Sequence, residues 1–122
     1  MYRQVQHVRN TLGQLDSVLR EAILADDLPA MVRLGTDGMA MIDQVIQALR
    51  RGAGEHDPGE PRVNQSMVDA AQRQLSLAWN RIEALALASD ARGARAALLD
   101  SKTSVDLAAA YVAGALGEEF QI

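Results

Sequence analysis

Apolar residues recur every three or four positions along most of the chain, which is the spacing of one face of an α-helix. The first apolar stripe predicts a helix over residues 2–25. The second predicts a helix from Leu28 to about Arg51, with Gly52 ending it. Only Ala25-Asp26-Asp27 separates the two, so the pattern favours an antiparallel hairpin, with one long kinked helix as the alternative. The stripe residues are Val5, Val8, Leu12, Leu15, Leu19 and Ala22 in the first helix, and Leu28, Met31, Gly35, Gly38, Ile42, Val45 and Leu49 in the second.

A linker separates this first half from a third helix. Residues 52–62 hold three glycines and two prolines, which predicts an exposed, mobile loop. Ser66-Met67-Val68-Asp69 is a variant of the capping box and predicts the start of the third helix. The apolar stripe of this helix fades between Ser89 and Gly93, where the helix either bends or continues. Its stripe residues are Val68, Ala71, Leu75, Ala78, Ile82 and Leu85.

A second capping-box variant, Thr103-Ser104-Val105-Asp106, predicts a short last helix that ends at Gly117 before Glu118-Glu119. No alternating run is long enough to predict a strand. The chain is therefore predicted to be a single all-α domain over residues 1–122. Its architecture is an antiparallel bundle of three long helices and a short C-terminal helix.

Gly35 and Gly38 have two interpretations because both lie on the apolar stripe of the second helix. They could mark a hinge or the close approach of another helix. Alternatively, they could be small residues beneath a bulky neighbour in a locally weak helix.

Composition and charge narrow the function classes. The absence of cysteine excludes disulfides and thiolate metal sites. The net charge of −4 argues against a nucleic-acid partner, since residues 1–51 sum to zero and residues 52–122 carry the whole imbalance. The polar first ten residues do not resemble a secretory signal, and the longest apolar stretch, Leu107 to Leu116, is too short to span a bilayer. We therefore expect a cytoplasmic protein without a membrane partner.

The lack of recognisable catalytic motifs in the sequence also predicts a protein that is not an enzyme. The sequence has no P-loop, dinucleotide fingerprint or zinc-protease helix. His7 lacks the following lysine that phosphotransfer histidines have, which favours a surface histidine. Glu55-His56-Asp57 is more typical of a solvated charge run than of a metal site. We predict no catalytic residue, no metal and no cofactor.

Three motifs resemble those of flagellar type III export chaperones of the FlgN/FliT kind. Asp27-Leu28-Pro29-Ala30-Met31-Val32 is similar to the start of their second helix. Leu75-Ser76-Leu77-Ala78-Trp79-Asn80 is similar to the Leu-rich turns around an Asn in the third helix of the FlgN branch. Tyr111-Val112-Ala113-Gly114 keeps the spacing of a C-terminal Tyr and Gly in that branch. Which of the two branches is closer stays open.

The resemblance implies a non-enzymatic chaperone that binds helical segments of flagellar axial proteins and brings them to the export apparatus. Recognition would place a helix in an apolar groove. The hypothesis is that residues 104–122 form a movable element whose apolar face is Leu107, Tyr111, Val112 and Leu116. Deleting this element is then expected to strengthen substrate binding. Trp79 and Ile82 of the third helix complete the predicted partner-binding set, although core packing is the first interpretation of Trp79.

Two of the four aromatic residues, Tyr111 and Phe120, lie in this last segment. The sequence leaves three roles open for these two residues: core packing, a dimer contact, or a lid over a groove. The alternative function is a self-associating structural or regulatory module, because the heptad-like stripes of the first two helices suit a homodimer.

Overall fold

The computed structural model describes residues 2–52, 63–88 and 90–117, and these ranges contain helices and no strand. The helices are α1 (Tyr2–Leu24), α2 (Leu28–Gly52), α3 (Gln65–Glu83) and α4 (Ala91–Ala115), with a 3₁₀ turn at Ala84–Leu87. The predicted all-α class is confirmed. Glu55-His56-Asp57, Glu118-Glu119, Phe120 and all of the predicted loop after Gly52 lie outside the described residues. None of the helices in the described part is long and apolar enough to cross a bilayer.

Each helix runs antiparallel to its neighbours in the bundle. His7 near the start of α1 shares a cleft with Arg51 near the end of α2, so these helices form the predicted hairpin. The hydroxyl of Ser101 on α4 donates to the carbonyl of Ala78 on α3, at 2.8 Å. Because α4 also packs against α1, the four helices form a closed up-down-up-down bundle. The alternative of one long kinked helix is wrong.

The apolar stripes of α1, α2 and α3 meet in a single core, as predicted. Val5, Leu15, Leu19, Leu49 and Leu75 are fully buried there. Five of the eight buried residues of α4 are alanine or serine. Small side chains let two helix axes approach closely. The buried residues of α4 are Ala94, Leu98, Ser101, Ser104, Val105, Ala108, Val112 and Ala115.

The predicted start of α3 at Ser66 is wrong by two residues. The N-cap is Asn64, whose side-chain oxygen accepts a hydrogen bond from the Met67 backbone N–H. Asn is as good an N-cap as Ser because its oxygen reaches the same free backbone donors. Asp69, expected to complete the capping box, instead accepts a hydrogen bond from the Gln65 side chain at 2.9 Å.

The predicted boundary at Thr103 is also wrong, because α4 is one continuous helix of 25 residues rather than a short C-terminal one. The hydroxyl of Thr103 donates to the carbonyl of Leu99 one turn earlier, a bond that fits inside a helix. The chain does break earlier, where Asp90 caps α4 by accepting from the Gly93 N–H at 2.7 Å. At the other end, Gly117 has the positive φ of +77° that ends many helices, as predicted.

The two glycines of α2 lie beneath bulky neighbours. A methyl group at Gly35 would lie 2.6 Å from a terminal carbon of Leu85 and 3.2 Å from Ile82. A methyl group at Gly38 would lie 3.3 Å from Leu19. These contacts favour the second interpretation, in which glycine makes room for a large side chain.

Two polar contacts connect α4 to α1. The Arg95 guanidinium donates to the carbonyls of Ile23 and Ala25, at 2.9 and 3.1 Å, where α1 ends and its last carbonyls have no helical partner. About two turns further along α4, Lys102 lies 3.2 Å from Asp16 of α1 and 2.9 Å from Asp106. Contacts between residues at least 70 positions apart in sequence thus close the bundle.

Candidate functional site

The large apolar side chains that remain exposed are concentrated on α4. Six such residues are exposed in the described part of the chain, and three of them are Leu99, Leu107 and Tyr111 of α4. Their side chains are 50%, 45% and 36% exposed. We call these three residues the outer face of α4. The other exposed residues are Leu24, Leu77 and Leu87.

Helical spacing explains why this face points away from the core. Leu99, Leu107 and Tyr111 are separated by eight and four residues, so they follow one side of the helix. The buried residues Leu98, Val105 and Val112 follow the other side at intervals of seven. From Leu107 to Gly117 the sequence contains no charged residue. Helix α4 is therefore apolar on both its inner and its outer side from Leu107 onward.

The structure separates the four residues that were predicted to form one apolar face of the last segment. Leu107 and Tyr111 lie on the outer face of α4. Val112 is fully buried in the core, and Leu116, the residue that caps α4, is partly buried against it. The sequence pattern groups them as one face because nothing within the segment itself indicates which of its apolar sides packs against the core.

The two predicted residues of α3 lie elsewhere. Ile82 is buried beneath α2, close to both Gly35 and Gly38. Trp79 is partly buried and lines a cleft of about 160 Å³ between α2 and α3, together with Asp43 and Ile46. Both residues therefore lie toward α2 and not on the outer face of α4.

Sequence reasoning missed Leu99, the most exposed member of the outer face. The signal was present, because Leu99, Thr103 and Leu107 recur every four residues. The predicted helix start at Thr103 hides this signal, because it assigns Leu99 and Leu107 to different helices.

The electrostatics of this region centre on Lys102. The hydrogen bond from Lys102 to Asp106 raises the pKa of the ammonium group, against a smaller opposing effect of burial, and Asp16 raises it further. The Asp16 Oδ1 atom is buried and accepts no hydrogen bond, so the nearby ammonium is the charge that balances it. The other Asp16 oxygen binds Arg20 at 2.9 Å. This network connects α4 to α1.

Among the described residues, no group of three His, Asp or Glu side chains could hold a metal ion. The arrangement that stands out is an apolar surface, and such a surface acts by being buried against another molecule. No protein-family model matches the chain, and no match was found among curated proteins or among solved structures.

Proposed function

We propose that this protein is a chaperone that binds a helical segment of an exported flagellar axial protein, and that the outer face of α4 is the surface that binds it. The observation that carries the proposal is the exposure of Leu99, Leu107 and Tyr111 on one side of a helix whose other side is already in the core. The resemblance of three sequence motifs to flagellar export chaperones supplies the identity of the partner.

The dimensions of the outer face suit a helix as the partner. Leu99 and Tyr111 are twelve residues apart, which corresponds to about 18 Å along α4, or a little over three turns of a docked helix. An amphipathic helix would cover this face with side chains at intervals of three and four residues. Burial of one leucine side chain contributes about 2 kcal/mol, so a few such contacts can sustain binding.

The proposal does not require the last segment to leave the bundle. Residues 104–115 form the second half of α4, and Val105, Ala108, Val112 and Ala115 are buried there. Movement of residues 104–122 as a unit stays a prediction. Binding at the outer face leaves these core contacts in place, so the same helix can serve the fold on one side and the partner on the other.

A matched pair of substitutions tests the proposal. Leu107 and Leu77 are almost equally exposed, at 45% and 44%, but Leu77 lies on α3 away from the outer face of α4. Tagged wild-type protein, Leu107→Glu and Leu77→Glu would be purified from the flagellated native host, and co-purified proteins identified by mass spectrometry. The axial protein that is recovered would then be titrated against all three variants by calorimetry.

We expect the wild type and Leu77→Glu to retain an axial protein, and Leu107→Glu to bind it at least about tenfold more weakly. Equal retention by Leu107→Glu would exclude the outer face as the site, and failure to recover any axial protein would contradict the chaperone function. Light scattering, which measures the oligomeric state, tests the alternative of a self-associating module. A wild-type dimer that Leu107→Glu converts to a monomer would support that alternative.

A further inference from the structure

The two halves of the bundle have the same helix lengths and the same spacing. In the first hairpin, α1 covers Tyr2–Leu24 and α2 covers Leu28–Gly52. In the second hairpin, α3 and its 3₁₀ turn run from Gln65 to Leu87, and α4 covers Ala91–Ala115. Every boundary of the second hairpin is 63 positions after the matching boundary of the first. We call two residues that are separated by this interval equivalent residues.

Burial repeats with the same interval. Six buried residues of α1 have buried equivalents in α3 or its turn, and six buried residues of α2 have buried equivalents in α4. Two unrelated hairpins would share apolar stripes but not one uninterrupted register across both helices and the turn. Only seven of the 51 equivalent pairs that begin at positions 2 to 52 are identical, so the sequence alone hides this repeat. Val5 and Val68, Leu12 and Leu75, and Ile42 and Val105 are examples of the buried pairs.

The turns inside the two hairpins form the same hydrogen bonds. The N–H of Ala25 donates to the carbonyl three residues earlier, and its equivalent Ala88 does the same. Asp27 caps α2 by accepting from the backbone N–H three residues later, at 2.8 Å. Its equivalent Asp90 caps α4 in the same way, at 2.7 Å. The repeat therefore includes the local contacts that start the second helix of each hairpin.

A twofold axis along the bundle relates the two hairpins. Helices α1 and α3 run in the same direction at opposite corners, and so do α2 and α4, so half a turn about the bundle axis exchanges the hairpins. Equivalent residues meet near this axis. A methyl group at Gly35 would lie 3.8 Å from a terminal carbon of its equivalent, Leu98. A methyl group at Gly38 would lie 3.3 and 3.9 Å from Leu19 and Ile82, which are equivalent to each other.

We propose that the chain is a fused dimer, in which the inner face of each hairpin is an interaction surface whose partner is a second copy of the same hairpin unit. In a pair related by a twofold axis, each contact occurs twice. The α1–α4 and α2–α3 interfaces are accordingly two versions of one interface. Contacts can be moved from one version to the other, because equivalent residues have the same position relative to the axis.

The two versions of the interface differ in charge at one position. In the α1–α4 version, Lys102 lies between Asp16 and Asp106. The residues equivalent to Lys102 and Asp16 are Met39 and Trp79, which are partly buried against the core. Pairing of two second hairpins would place each Lys102 opposite a tryptophan instead of an aspartate. The charged network therefore favours the pairing of unlike hairpins.

Moving the charged network to the α2–α3 interface of the full-length protein tests the proposal. Met39→Lys combined with Trp79→Asp supplies the lysine and the first aspartate. The second aspartate is already present, because Asp43 is the equivalent of Asp106 and lines the same cleft as Trp79. Thermal unfolding would be measured for the wild type, for each single variant and for the double variant.

Trp79→Asp alone is expected to lower the unfolding temperature, because it removes a large apolar side chain and leaves a lone carboxylate. Addition of Met39→Lys is expected to raise that temperature by about 4 °C, because an ion pair forms. The matched control adds Leu34→Lys instead. Leu34 is also a partly buried residue of α2, but it is not equivalent to Lys102. We expect this lysine to lower the unfolding temperature further, and an equal effect of the two lysines would overturn the proposal.

The reverse exchange keeps the proposal testable if Trp79→Asp does not fold. Asp16→Trp combined with Lys102→Met moves the apolar pair to the α1–α4 interface. We expect Asp16→Trp to restore most of the unfolding temperature that Lys102→Met loses. Asp16→Asn is the control, because it removes the carboxylate without supplying the tryptophan. Equal restoration by Asp16→Asn would overturn the proposal. These substitutions leave the outer face of α4 unchanged, so the result is independent of the proposed chaperone function.

Discussion

Lys102 is the only lysine in the sequence, and it occupies a position where two helices meet. Its raised pKa means that the folded state holds this proton more tightly than the unfolded chain does. The stabilisation it provides is therefore fully present below the ordinary lysine pKa of 10.5 and is lost as pH rises through the higher folded value.

We predict that Lys102→Met lowers the free energy of unfolding by about 1 kcal/mol at pH 8, since it leaves the buried oxygen of Asp16 without its counter-charge. Urea unfolding measured from pH 8 to 11.5 is the test. The difference between wild type and variant is expected to shrink at the alkaline end. A constant difference across that range would show that the ammonium charge is not what stabilises the α1–α4 interface.

Two glycines in similar helices are predicted to respond oppositely to an added methyl group. Gly13→Ala places its methyl in open space and is expected to stabilise the protein by up to about 1 kcal/mol, because alanine favours helix. Gly35→Ala gains the same propensity but meets Leu85 and Ile82, so we expect a net loss of about 1 kcal/mol. Thermal unfolding of both variants measures the contrast. A Gly35→Ala variant as stable as Gly13→Ala would show that Leu85 moves aside freely.

At the scale of elements, α1, α2 and α3 were predictable because each has one apolar side and one polar side. Helix α4 was not, since its apolar residues lie on both sides and give no single stripe. Its Thr103 and Ser104 also resemble a helix start. In the structure Ser104 accepts a hydrogen bond from Arg81 of α3 at 2.6 Å, a tertiary contact that no local pattern encodes. The outer face of α4 was missed for the same reason.

Because α4 is one element, a chain that ends at residue 103 is predicted not to fold cooperatively. The truncation removes Val105, Ala108, Val112 and Ala115 from the core, a loss of about 5 kcal/mol, which is comparable to the total stability of many small domains. Circular dichroism during heating tests this expectation. A sharp unfolding transition in the truncated protein would instead support a separable last segment.

At the scale of the whole molecule, charge is organised by topology rather than by sequence order. Residues 1–51 sum to zero, and for that reason the sequence indicated no basic surface in this half. Folding the two helices against each other places Arg3 and Arg9 at the same end as Arg50 and Arg51, and places Asp26 and Asp27 at the opposite end. Among the described residues of this half, the antiparallel arrangement thus separates charges that the sequence order leaves balanced.

The contact between α1 and α4 has a consequence for the order of folding. The α1–α2, α2–α3 and α3–α4 interfaces join helices that follow each other along the chain, whereas this one joins the first helix to the last. Interfaces between consecutive helices require little loop-closure entropy and can form early, but the α1–α4 interface must wait until most of the chain is in place. We expect Arg95 and Lys102 to act late in folding. Their contacts then determine chiefly how slowly the completed bundle opens, and only weakly how fast it assembles.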